Sequence, residues 1–195
     1  MLKALEVDSG VASTMLSPLE RLGDEARRRI DALVSVRVYL DSLRRDGLLN
    51  DAVDVLTYLL PRQYAIAWGC ECWQAAQVGN DVDPVEASAL AAAQRWLKDP
   101  SEEHRRVALQ LADRLGFKTA GAWLAAAAGW SGGTMMPSAE YEVPPPPGLS
   151  GNAVAAALKL MAASHPARYD EQLAEFIDRA LATFAPGPGV TGGRH

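Results

Sequence analysis

Residues 119–130, TAGAWLAAAAGW, decide how the rest of the chain is read. Thr119 suits a helix N-cap, because its hydroxyl can accept from an early amide of the helix that follows. From Ala120 to about Trp130 the residues are apolar almost all round, and a helix of that kind is buried among others. The expectation is a central helix enclosed by neighbouring helices. At this length it falls well short of the roughly 20 residues that cross a bilayer.

Working outward, the flanking segments share one grammar. Ser101-Glu102-Glu103 opens a helix with acidic residues in its first turn, where the helix dipole favours them. Val107, Ala108, Leu111, Ala112 and Leu115 follow at helical spacing, and Gly116 stops it. Before it, Pro84 starts a helix with Val85, Ala89, Ala92, Ala93, Trp96 and Leu97 on its inner face. Pro61 breaks the chain, and a helix from Arg62 carries Tyr64, Trp68 and Cys72 before Gly79-Asn80 ends it. Val36, Tyr39, Leu40 and Leu43 mark another helix, closed by Gly47. Asn50 is expected to cap a helix with Val53, Leu56, Leu59 and Leu60, and Ser150 one with Val154, Leu158 and Met161. His165-Pro166 turns into a last helix with Leu173, Phe176, Ile177 and Ala180. A further helix is expected over Pro18–Leu33, with Ser17 as its cap.

Between the central helix and the helix expected to begin beside Ser150, residues 131–149 break the pattern. Gly132-Gly133, Pro137 and the run Pro144-Pro145-Pro146-Pro147 forbid a helix there, and the prolines favour extended polyproline II. The reading is therefore all-α: a compact bundle of seven or eight helices, stacked as hairpins, with one long proline-rich crossover. Residues 1–17 are expected to be a flexible leader, 18–184 one helical domain, and 185–195 a disordered tail. No persistent repeat marks a solenoid.

Composition narrows function. Of 195 residues, 49% are apolar and 22% charged, and the net charge is −5. That balance disfavours general nucleic-acid binding, which needs a basic field over the phosphates. Arg27 to Arg29, Arg44-Arg45 and Arg105-Arg106 are interleaved with acids and read as solvated, ion-paired faces. A regulator contacting nucleic acid through these arginines is the weakest of three readings. Cys70 and Cys72 lie two apart in a helix, on different faces, so they are expected to stay reduced and to bind no metal. Reduced thiols and an N-terminus without a secretory pattern lead to an expectation of cytoplasmic localisation.

No catalytic motif stands out, and no cofactor is expected. His104 reads as solvated, and His165 as a helix-end cap. The pairs Asp51/Asp54 and Glu102/Glu103 fall in first helical turns, where stabilising a terminus explains them. The aromatic residues are more informative. Trp68 and Trp73, five apart, point about 140° away from each other around a helix. Trp123 and Trp130, seven apart, share a face. The candidate partner-binding residues are Trp68, Trp73 and Trp130, with Tyr141 and the proline run Pro144, Pro145, Pro146 and Pro147. Aromatic-lined grooves bind polyproline at low entropic cost. The favoured expectation, however, is that the strap packs on the protein's own tryptophans, with Trp130 the first candidate.

As a set, Leu59-Leu60-Pro61-Arg62, Trp68, Cys70, Trp96-Leu97, Ala122-Trp123-Leu124, Trp130-Ser131-Gly132-Gly133 and the proline run with Leu149 resemble a family of small all-helical bacterial proteins. That family is associated with type VI secretion accessory clusters, and the resemblance spans roughly residues 35–184. It implies a non-enzymatic adaptor or co-chaperone for effector loading, with a protein partner, and brings no catalytic residues. The alternative is a small-molecule-binding module or enzyme whose inter-helix pocket is lined by Trp68, Trp73 and Trp130.

Overall fold

The computed structural model describes residues 12–30, 35–77, 81–135 and 141–184. Within them the chain forms ten α-helices and no strand. They are α1 (Ala12–Leu16), α2 (Asp24–Arg28), α3 (Val36–Arg45), α4 (Leu49–Leu59), α5 (Arg62–Ala76), α6 (Pro84–Lys98), α7 (Glu102–Arg114), α8 (Ala120–Gly129), α9 (Leu149–Ala163) and α10 (Tyr169–Phe184). A 3-10 turn, Pro166–Arg168, leads into α10.

The capping chemistry sets most boundaries. Ser35, Asp83, Ser101 and Thr119 accept the amides of Val38, Val85, His104 and Ala122 at the starts of α3, α6, α7 and α8. After α3, the Gly47 and Leu48 amides return to the carbonyls of Arg44 and Leu43, with Gly47 at φ +74°. α8 is the centre, as its composition requires. Leu124 and Ala125 to Ala128 are fully buried, and α6, α7 and α9 pack closely around it. Small side chains let these helices approach. On α9, a Cβ at Gly151 would stand 2.6 Å from the Thr57 carbonyl oxygen, so only glycine lets α9 begin against the end of α4.

Several expectations need correction. Residues 12–16 of the expected leader are helical, with Ala12 and Leu16 fully buried, one helical turn apart. The helix expected over Pro18–Leu33 is not continuous: Ser17-Pro18 is a turn, and among the described residues 18–30 only Asp24–Arg28 is helical. Tertiary bonds hold this arm down. Tyr39 donates to the Ala26 carbonyl at 2.7 Å, and Asp51 accepts the Gly23 amide at 2.7 Å. Asp54, nearly buried, takes Lys159 through both oxygens at 2.9 and 2.8 Å and Arg21 at 3.1 Å.

Asn50 and Ser150 do not cap. Each lies one residue inside its helix, and each side chain serves a distant partner, Tyr169 for Asn50 and the Ala127 carbonyl for Ser150. Val85 and Val107, expected inside, face outward at 52% and 38% exposure. Gly79-Asn80, residues 1–11 and the expected tail 185–195 lie outside the described residues.

Candidate functional site

The last carbonyls of a helix have no partner within it. At the end of α8 they lie buried, and four side chains from elsewhere meet them or the turn that follows. Ser150 donates to the Ala127 carbonyl at 2.7 Å, and Ser131 to that of Ala128 at 2.6 Å. The Arg105 guanidinium donates to the Gly129 carbonyl, and Arg62 donates to the carbonyl of Ser131. Arg105 is 4% exposed, and it also grips Glu102 through Nε and Nη2 at 2.6 and 2.7 Å and the Thr134 carbonyl at 3.2 Å. This explains Gly133: its φ is +62°, and a Cβ there would stand 2.8 Å from the guanidinium.

From that anchor the crossover is fixed at both ends. Thr134 Oγ1 accepts the Val143 amide at 3.0 Å, and the Met135 amide donates to the Val143 carbonyl at 2.7 Å. Beyond the prolines, Leu149 donates back to Pro146 at 3.2 Å, and Gly148 turns into α9 at φ +81°.

Between this strap and the bundle lies a groove of about 740 Å³. One wall is the α4–α5 junction from Thr57 to Gln63, and the other is Pro144 to Pro146 with the first turn of α9. Trp96, Trp130 and Ser131 to Gly133 complete the lining. Trp130 is held in place from behind. Phe117 stacks on it with centroids 5.6 Å apart, and Trp123 meets it edge-on at 6.2 Å. Phe117 takes φ +55° to do so, an uncommon conformation for a residue with a side chain. Among the described residues that line the groove, Arg62 is the one that carries a charge. The helices that open onto it, α5 and α9, start at Pro61 and Gly148 without a side-chain cap.

The groove gathers only part of the candidate set. Trp130 and Pro144 to Pro146 line it, whereas Pro147 is exposed beside it and Tyr141 projects at 74% exposure. Trp68 and Trp73 are core residues and do not belong to the described lining of the groove that holds Trp130. Trp68 is fully buried and donates to the Phe176 carbonyl at 2.8 Å, and Trp73 donates to Glu86 at 3.2 Å. The two rings serve α10 and α6, as the angle between them requires. Tyr58, Arg62 and Trp96 belong to the site but are not among the partner-binding candidates that the sequence offers.

Most of the other chemical candidates have structural partners. Arg28 and Arg29 pair with Glu25, Arg44 with Asp178, and Arg106 with Glu102. His104 is partly covered and sits against the carbonyl and carboxylate of Asp99, while His165 faces the Ser164 hydroxyl. Among the described residues no group of three or more His, Cys, Asp and Glu is placed to hold a metal ion. A second cavity, about 300 Å³, lies between the end of α5 and α10 and mixes Arg168 and Arg179 with Glu175.

Both cysteines are buried and free. Burial pushes the Cys70 thiol up to about 12 and raises that of Cys72 as well. Neither thiolate forms near neutral pH, so the folded protein should not react with Ellman's reagent at pH 8. Both thiols should titrate once denaturant is added, and rapid labelling of the native protein would contradict this placement.

Residues 39–184 match the model of a family of unknown function, DUF6931. The chain belongs to this family. The DUF6931 match takes in every residue lining the groove and leaves α1 and α2 outside it. No curated protein and no solved structure matches the chain significantly.

Proposed function

We propose that this DUF6931 protein is a non-enzymatic interaction protein whose partner site is the groove between the proline strap and the α4–α5 junction. The observation that carries the reading is the construction of the strap. A crossover this long is unusual in a compact domain unless it is functional. Here a buried arginine, two serine hydroxyls and a threonine hold its ends, yet the prolines wall an open groove instead of filling it. Aromatic and proline surfaces beside exposed backbone suit a partner segment better than a reaction centre. The resemblance drawn from the sequence adds an adaptor or co-chaperone role, with a secretion effector or its chaperone as partner, and the reduced cysteines suit the cytoplasm. A small molecule is the second reading, supported by a volume within the range of about 300–1,000 Å³ usual for ligand sites.

Gly132 supplies the test. It lines the groove, its φ is not positive, and an added Cβ meets nothing within 4 Å. Gly132→Phe should therefore place a ring in the path of a bound segment while moving the melting temperature by no more than about 2 °C. A partner retained from the native host by the wild-type protein should be lost by this variant. Equal retention by both proteins would place the partner site elsewhere.

A further inference from the structure

We infer that the groove receives an extended, acidic segment of a partner protein, with a carboxylate of that segment placed at Arg62. The inference rests on the groove being the partner site, and it adds the charge of the occupant. The protein as a whole is acidic, with 24 Asp and Glu against 19 Lys and Arg. The groove reverses that sign. Among the described residues its lining holds no carboxylate, and the one charged side chain there is Arg62. Arg62 spends one nitrogen on the Ser131 carbonyl, which leaves the rest of a five-donor fork available.

The first turns of α5 and α9 reinforce this sign. Each helix is 15 residues long, each starts in the groove lining, and neither has a side-chain acceptor on its leading amides. Positive helix ends and a guanidinium favour a carboxylate. Trp96, Trp130 and the prolines favour apolar or proline side chains next to it. A basic segment would meet the same field with the wrong sign, so the site selects as well as binds.

The test uses the full chain and three fluorescein-labelled peptides built on one Pro-Leu framework, carrying Glu, Gln or Lys at the same positions. Fluorescence anisotropy should show the Glu peptide binding roughly tenfold more tightly than the Lys peptide, with the difference shrinking in high salt. Arg62→Gln, which keeps a donor for the Ser131 carbonyl, should remove most of the preference, and Arg62→Glu should reverse it. Gly132→Phe should abolish binding of all three. Equal binding of the three peptides, lost in Gly132→Phe, overturns the charge inference and leaves the groove as the partner site. Glu-peptide binding that survives Gly132→Phe overturns both. No binding of the Glu peptide up to about 1 mM also overturns the inference.

Discussion

Replacing Arg105 with alanine should destabilise the protein by about 2–4 kcal/mol, far more than the loss of an ordinary surface arginine. The guanidinium is nearly buried and serves the Gly129 and Thr134 carbonyls and the Glu102 carboxylate. Removing it leaves the Gly129 carbonyl at the end of α8 and the Thr134 carbonyl in the strap without this donor. Neighbouring Arg106 is half exposed and shares only Glu102, so Arg106→Ala should cost less than about 0.5 kcal/mol. Urea denaturation of the two variants measures the contrast, and similar losses would contradict the role assigned to Arg105.

A pH effect accompanies this. Hydrogen bonds from Arg105, then from Arg106, hold the Glu102 carboxyl down to about 2. A carboxyl lowered on folding adds stability above its ordinary range, and that stability is lost as pH falls from about 4.5 towards 2. Glu102 is about half exposed, so its share is modest, and Arg105→Ala should flatten only part of the acid limb.

Trp68→Ala should be more damaging still, at about 3–5 kcal/mol. The ring is fully buried and its indole N–H satisfies the Phe176 carbonyl, tying α5 to α10. Trp68→Phe keeps much of the volume and loses that bond, for an expected cost of about 1–3 kcal/mol, including the carbonyl left unpaired. At a temperature where Trp68→Phe remains folded, its affinity for a groove ligand should match the wild type. Reduced affinity at full folding would return Trp68 to the partner site, where the sequence reading had put it.

That misplacement has a physical cause. Periodicity reports that a tryptophan lies on a helix and says little about which neighbour it meets. The helices themselves were legible because their punctuation is local: Ser101 opens one, Thr119 caps another, and Gly47 and Gly116 stop two. The apolar run from Ala120 announced a central helix for the same reason. Asn50 and Ser150 resemble caps equally well, yet distant partners claim both side chains. Arg105 was hidden in a charged run. The inner face of α7 passes through Arg105, Ala108 and Ala112, and nothing local distinguishes Arg105 from its exposed neighbour Arg106. The groove was half visible, as Trp130 and the prolines, because prolines declare a crossover. Its other wall comes from Tyr58 and Arg62, remote in sequence from the strap and brought to it by the packing of α4 and α9.

The most direct test of the groove as partner site is photocrosslinking in the native host, with benzoyl-phenylalanine placed singly at four positions. Tyr58 and Gly132 line the groove, whereas Val38 and Leu160 are exposed apolar positions outside it. One partner should be joined through a single segment from positions 58 and 132, with no such product from 38 or 160. The same product from positions 38 and 160, or none from 58 and 132, would contradict the groove as partner site.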